Sequence, residues 1–336
     1  MKFLIIGLGS MGKRRVRNLQ YLKAGEIHGF DLRKDRRRET KEKYGIIVFP
    51  NIEDALKEKP DAVIISTPPH LHMEYATRAA KQNIHFFTEL NMSHEKIDAL
   101  LRLCKKKNIV AAPSCTMRFH PAIQCMKQLL EKRYIGKIAA FSYHSGQYLP
   151  DWHPWEDYHT FFASQKETGA CKEIILSELV WITWLFGRIN KVSSLKKKST
   201  ILEADIEDIY QIILNFEEGP VGNMLVDALA RYPVRYCEII GEKGQIIWDC
   251  DKNNVKVFEA QTKNWRTYSQ KESIHEAGYA SSIIEDMYIE EMKHFIRTIK
   301  GEIIYPYTFE EEKRILGIMQ MIDKSSEEGK HILIKD

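Results

Sequence analysis

No stretch of this chain approaches the ~18 consecutive apolar residues that a membrane-spanning helix needs, so no membrane partner is expected. The apolar run at the N-terminus is only a few residues long and meets a glycine turn and a basic cluster, which does not fit a secretory signal. Cysteine is sparse: none of the six falls in a C-x-x-C or zinc-type spacing. That predicts no metal site and reduced thiols in a cytoplasmic protein. An excess of charge of one sign is missing too. With 50 basic against 46 acidic side chains the net charge is +4, against the strong basic excess of a dedicated nucleic-acid binder. The basic clusters "GKRRVR" and "LRKDRRRE" read as solvated helix faces. Internal repeats and low-complexity tracts are absent, which excludes a solenoid.

What is present is ordinary globular composition, 44% hydrophobic and 29% charged over 336 residues, long enough for two domains. The first ~120 residues alternate strand-like and helix-like segments, as in a parallel sheet wrapped by helices. "KFLIIG" and "AVIISTPP" read as buried strands, the second stopped by two prolines. Ser93 is the expected N-cap of the helix in "SHEKIDALLRLCKKKN". From about residue 138 the segments become longer strand candidates separated by hairpin signals such as "GEKGQ", which suggests antiparallel pairs. Two amphipathic helices near the end of the chain each stop near a glycine.

Gly7, Gly9 and Gly12 follow a predicted strand and open a predicted helix, which turns the loose pattern G-x-G-x-x-G into a dinucleotide fingerprint. Gly7 permits the tight turn, Gly9 lets backbone approach a pyrophosphate, and Gly12 lets helix and strand pack closely. Free N–H groups at the helix start supply positive potential for the anion. Lys13 and Arg14 are expected to point to solvent. Asp31, 19 positions past Gly12, ends the second strand, where a carboxylate accepts from the adenosine ribose hydroxyls and repels a 2′-phosphate. Arg33, Arg36, Arg37 and Arg38 stand nearby, and an arginine can pair with that phosphate. NAD is the expected cofactor, with NADP left open.

Several segments together resemble the Gfo/Idh/MocA oxidoreductases: "IIGLGSMGKRRVRNL", "DAVIISTPPHLHMEYATRAAKQNIHFFTE", "RFHPAIQCMKQLLEKRYIGKI", "PDWHPWEDY", "WITWLFG" and "IIGEKGQIIWD". The resemblance implies an α/β fold, with a Rossmann domain over 1–120 and an α/β domain with a large, mainly antiparallel open sheet over 121–336. It implies hydride transfer between NAD(P) and a sugar, cyclitol or sugar nucleotide. Cofactor contacts then fall on Gly7, Gly9, Ser10, Met11, Gly12, Asp31, Thr67, Pro68, His72, Glu89 and Arg118. The open sheet face suggests a homodimer or homotetramer.

The chain departs from the family where catalysis is expected. The family's Glu-Lys-Pro reads Glu89-Leu90-Asn91, and leucine can neither donate a proton nor stabilise an oxyanion. Anchored on Trp184-Leu185, the second catalytic segment puts Glu173 at an aspartate position and Ser177 at the histidine position. Four residues are candidates to replace the missing groups: Lys172 and Glu173 at one helix start, and His153 and Tyr158 in an aromatic, polar loop suited to a sugar face. Two other readings stay open, a non-catalytic dinucleotide-binding partner protein and a glycoside hydrolase working by transient oxidation at NAD.

Overall fold

Phe3, Leu4 and Ile5 are wholly buried, because their strand lies in the middle of a sheet covered on both faces. In the computed structural model, which describes residues 1–152, 157–199, 201–270 and 284–334, contacts divide the chain into two units. The first comprises 1–116 and 286–316, the second 117–285 and 317–336.

In the first unit the chain runs β1 (Lys2–Ile6), α1 (Ser10–Tyr21), β2 (Glu26–Phe30), α2 (Lys34–Tyr44), β3 (Ile47–Phe49), α3 (Ile52–Lys57), β4 (Ala62–Ile65), α4 (His72–Lys81), β5 (His85–Thr88), α5 (Ile97–Cys104) and β6 (Ala111–Pro113). Its six strands are parallel in the order β3-β2-β1-β4-β5-β6, the doubly wound arrangement whose ligand crevice opens beyond the strands' carboxyl ends, where the order reverses. The reversal falls between β1 and β4, so the glycine turn after β1 stands at that crevice.

Two local readings are corrected. Ser93 is not a helix N-cap: its hydroxyl accepts from the Glu95 N–H, and α5 begins four residues later because Lys96 takes a left-handed conformation (φ +66°) that a helix cannot include. The run "GKRRVR" is not a solvated face either. Arg14 and Arg15 are buried, at 2% and 0% exposure.

The second unit carries α6 (Pro121–Glu131), β7 (Ile138–Gly146), α7 (Ala170–Phe186), β8 (Ile189–Lys197), β9 (Ile209–Phe216), β10 (Val221–Asp227), β11 (Val234–Gly241), β12 (Gly244–Asp249), β13 (Asn254–Glu259) and β14 (Asn264–Ser269). α8 (Glu285–Ile299) then belongs almost wholly to the first unit, α9 (Phe309–Glu328) is divided between the units after Leu316, and β15 (Ile332–Leu333) closes the second. Nine strands form one sheet in the order β14-β13-β12-β11-β7-β10-β9-β8-β15, antiparallel except where β10 meets β7. One face is apolar: Ile212, Met224, Tyr143, Cys237 and Trp248 lie in register across five strands and are buried. Trp181 of α7 meets Tyr143 edge-on at 5.2 Å, and Phe186 stacks on Phe141 at 4.5 Å. The other face leaves Leu195, Ile213, Val221 and Ile240 exposed. Among the described residues no helix is long and apolar enough to cross a membrane.

Inside α7, Glu178 is fully buried; it pairs with Arg235 of β11 at 2.9 Å and accepts from the Trp181 indole. Removing one partner of such a pair strands the other charge, which costs about 3–5 kcal/mol. Glu178→Ala should therefore destabilise the protein by about that much, read as a lowered midpoint in urea unfolding. A midpoint equal to wild type would contradict this account of the α7–β11 contact.

Candidate active site

The backbone of the glycine turn tolerates no side chains where it bends. Gly7 sits at φ +92°, and a Cβ there would lie 2.6 Å from the Ser66 carbonyl oxygen. A Cβ on Gly12 would lie 1.8 Å from the Gly7 oxygen. Gly9 is the N-cap of α1; no side chain caps this end of the helix and no acidic residue occupies its first turn, leaving N–H groups and positive potential for an anion. Ser10 and Met11 form the first turn, and the Met11 sulfur accepts from Arg14. Asp31, 7% exposed, closes the turn from the end of β2: one carboxylate oxygen accepts from the Leu8 N–H at 2.8 Å, the other from the Arg33 N–H at 2.8 Å. A carboxylate has about four acceptor positions, so capacity remains for a diol. Turn, helix start and carboxylate fit a dinucleotide, and the fit rests on backbone that only glycine can supply.

Beside the turn lies a buried ion cluster. Arg15 of α1 donates two hydrogen bonds to Glu89 past the end of β5, at 2.7 and 2.8 Å, and one to Glu291 of α8 at 2.8 Å. Burial works against the Arg15 charge, but the two carboxylates, Glu89 foremost, more than offset it and hold its pKa up. Glu291 also accepts from the Cys115 N–H and from the Ser114 and Thr116 hydroxyls. Burial, with the nearby Glu89 charge adding to it, pushes the Glu291 carboxyl up, against Arg15 and those donors. Arg14, expected in solvent, lies over the Tyr288 ring at 4.4 Å because α8 covers this side of α1.

The segment Thr67-Pro68 is held from below. His72 donates from Nε2 to the Thr67 carbonyl at 2.8 Å, and its Nδ1 lies 3.1 Å from the Asn91 amide oxygen. It is buried, which lowers its pKa. The imidazole therefore positions Thr67, whose hydroxyl is enclosed and without a hydrogen-bond partner, while Pro68 is exposed. Asn91 occupies the family's proline position and uses what proline lacks. Its N–H and side-chain amide both donate to Glu312 of α9, at 3.2 and 2.9 Å, and the amide also reaches Thr88. Leu90 between them is partly exposed. Glu291, Glu312 and Asn91 escaped sequence reasoning. The two glutamates are far along the chain in helices that read as amphipathic, and only a buried acid at a helical core position could have signalled them.

In the second unit the candidate acid–base groups do not converge on one another. Glu173, in the first turn of α7, has one carboxylate oxygen enclosed and without a partner, and burial pushes its pKa up to about 7. Lys172 turns away, 3.6 Å from Asp323 and 3.3 Å from the Lys166 carbonyl. Tyr158 accepts from the Glu203 N–H through its hydroxyl. No hydrogen bond or ion pair joins these three among the described residues, and His153 lies outside them. Arg118 falls in this unit as well, buried, donating to the Val180 carbonyl of α7 at 3.1 Å. His120 caps α6 by accepting from the Ala122 N–H, with its pKa pushed down to about 3 by burial.

An NAD-binding doubly wound domain joined to an α/β domain with a large antiparallel sheet defines an oxidoreductase class. Residues 1–114 match the family model described as oxidoreductase family, NAD-binding Rossmann fold, and residues 127–334 match its C-terminal alpha/beta domain. The chain belongs to the Gfo/Idh/MocA oxidoreductase family. Myo-inositol 2-dehydrogenase of Thermotoga maritima is 24% identical over 351 residues, spanning 100% of this chain and 99% of that protein. Among solved structures, a levoglucosan dehydrogenase complexed with NADH superposes with a TM-score of 0.86 at 20% identity, covering 100% of this chain and 99% of the other. The WlbA dehydrogenase of Bordetella pertussis, solved with NADH and UDP-GlcNAcA, gives 0.83 at 18% identity, covering 100% and 98%. At such identities the structural likeness speaks for the fold.

Gly12→Ala places a methyl against the Gly7 oxygen, so the turn must open. In a fluorescence titration NADH should bind roughly tenfold or more weakly than to wild type. Retained affinity would mean that the turn does not hold the pyrophosphate.

Proposed function

We propose that this chain is a cytoplasmic NAD-dependent dehydrogenase of a sugar, cyclitol or sugar nucleotide, with Glu173 as its acid–base group, and that the outer sheet face bearing Ile213 and Val221 seats a second copy in a homodimer or homotetramer. NAD supplies the hydride acceptor, and NADH the donor. The amides of Gly9, Ser10, Met11 and Gly12 hold the pyrophosphate, the Gly7 turn shapes their approach, and Asp31 takes the adenosine ribose. Thr67, Pro68 and Glu89 line the nicotinamide side, with His72 supporting Thr67 from behind; Arg118 remains a cofactor contact that only the family resemblance implies. Glu173 carries the proposal. A carboxyl with a pKa of about 7 takes a hydroxyl proton in one direction and returns it in the other. Glu173 also stands where the resemblance places an acidic residue, whereas Leu90 and Ser177 cannot substitute for the family's lysine and histidine. Lys172 and Tyr158 are already engaged with neighbours, which leaves them to shape the approach to Glu173. His153, five positions before Tyr158 in the sequence and outside the described residues, is proposed for the same sugar wall.

A screen of sugars, cyclitols and sugar nucleotides followed at the NADH absorbance band should find a substrate. NADH binding without turnover of any of them would favour the non-catalytic reading, and release of an aglycone with catalytic NAD would favour the hydrolase reading.

Glu173→Gln should lower kcat roughly 10²–10⁴-fold with NADH affinity unchanged. The same substitution has a stability signature. The folded pKa of about 7 lies above the usual carboxyl value of 4.5, so the folded state binds the proton more tightly. That contribution is complete below about pH 4.5 and is lost as pH rises through 7. The variant, which has no proton to lose, should gain in Tm over wild type from pH 5 to pH 8. A Tm difference independent of pH would show that Glu173 is not desolvated.

A further inference from the structure

We propose that Arg36 makes the cofactor site dual, turning from Asp31 to the 2′-phosphate so that the chain binds NADP(H) as well as NAD(H). The inference rests on the dinucleotide reading of the glycine turn and extends it to a specificity-determining residue.

Four arginines follow β2, and the structure separates them. Arg33 is spent on Asp35, with which it forms a paired contact. Arg37 donates to the carbonyls of Asp31 and Leu32, at 2.7 and 2.8 Å, and so closes the end of the strand. Arg38 is exposed, two residues on from Arg36 and therefore on another side of α2. Arg36 alone reaches the cofactor turn. Its Nη1 lies 3.3 Å from the point where a side chain on Gly9 would begin, and 3.8 Å from an Asp31 carboxylate oxygen.

The Asp31–Arg36 contact is loose. Charge-assisted hydrogen bonds run to about 2.7–2.9 Å, and this pair is longer. Its guanidinium makes no hydrogen bond among the described residues, and its side chain is 31% exposed. A partly exposed, non-bonded ion pair holds its partners weakly, so the guanidinium can turn at little cost. Asp31 by itself would repel a 2′-phosphate of nearly two negative charges. Arg36 cancels that repulsion and offers a planar fork of donors matched to phosphate oxygens. Asp31 meanwhile stays anchored through Leu8 and Arg33, with acceptor capacity left for ribose hydroxyls when no phosphate is present. The carboxylate thus serves one cofactor and the guanidinium the other.

Calorimetry on the purified full chain tests this with NAD, NADP and the half-ligands ADP and 2′,5′-ADP. Wild type should bind NAD and NADP within about tenfold of each other. Arg36→Gln should lose roughly 10- to 100-fold for NADP and 2′,5′-ADP, with NAD and ADP changed less than about twofold. Arg36→Lys, which keeps a charge, should recover part of the loss. The proposal falls if wild type takes up NAD without NADP, or if Arg36→Gln weakens all four ligands alike, which would mark a general stacking role. Uptake of none of them by wild type would sink the dinucleotide reading as well, and is distinguished by the absent NAD signal.

Discussion

The buried guanidinium of Arg15 is the constraint on which the first unit depends. It is fully buried yet charged, and it can be so only because Glu89 and Glu291 face it from two separate elements. The three groups fix the rotation of α1 about its axis, the position of the chain leaving β5, and the docking of α8, which arrives 276 residues later in sequence than Arg15. Glu291 extends the tie to residues 114–116 through three more donors. The glycine turn stands at the start of the same α1, so its orientation is set from behind by ion pairing while its front is left as bare amide.

This arrangement explains why the catalytic departure at Leu90 and Asn91 does not unseat the segment. A proline stiffens backbone by fixing φ and offers no N–H. Asn91 instead spends its N–H and its side chain on Glu312, Thr88 and His72. Rigidity that one ring would provide is supplied by a buried polar network, in which each donor and acceptor must be matched. The proposed acid–base group stands on a different element: Glu173 of α7, whose pKa burial pushes up to about 7.

Much of this was legible from local pattern. The apolar runs of β1 and β4, the glycine spacing and Asp31 each carry their own signal, because strand burial, turn geometry and ribose recognition act over a few residues. α2 buries only Thr40, in keeping with the solvated helix face read from "LRKDRRRE". The missed elements failed that condition. β8, rich in lysine and serine, and β14, almost wholly exposed, lie toward the two margins of the sheet, where exposure removes the pattern of period two. The basic cluster after Gly12 misled for the opposite reason: Arg15 looks like a solvent group until two distant glutamates are brought to it.

The sequence by itself determined most of the strand and helix segments, the dinucleotide turn and the family, since these are written in residues near one another along the chain. Tertiary structure alone decided which charges are buried. It set Glu291 and Glu312 beside the cofactor domain, sent Lys172 to Asp323 and left Glu173 desolvated. The physical reason is that desolvation and ion pairing depend on what fills the surrounding few ångströms, and distant segments of the chain supply that filling.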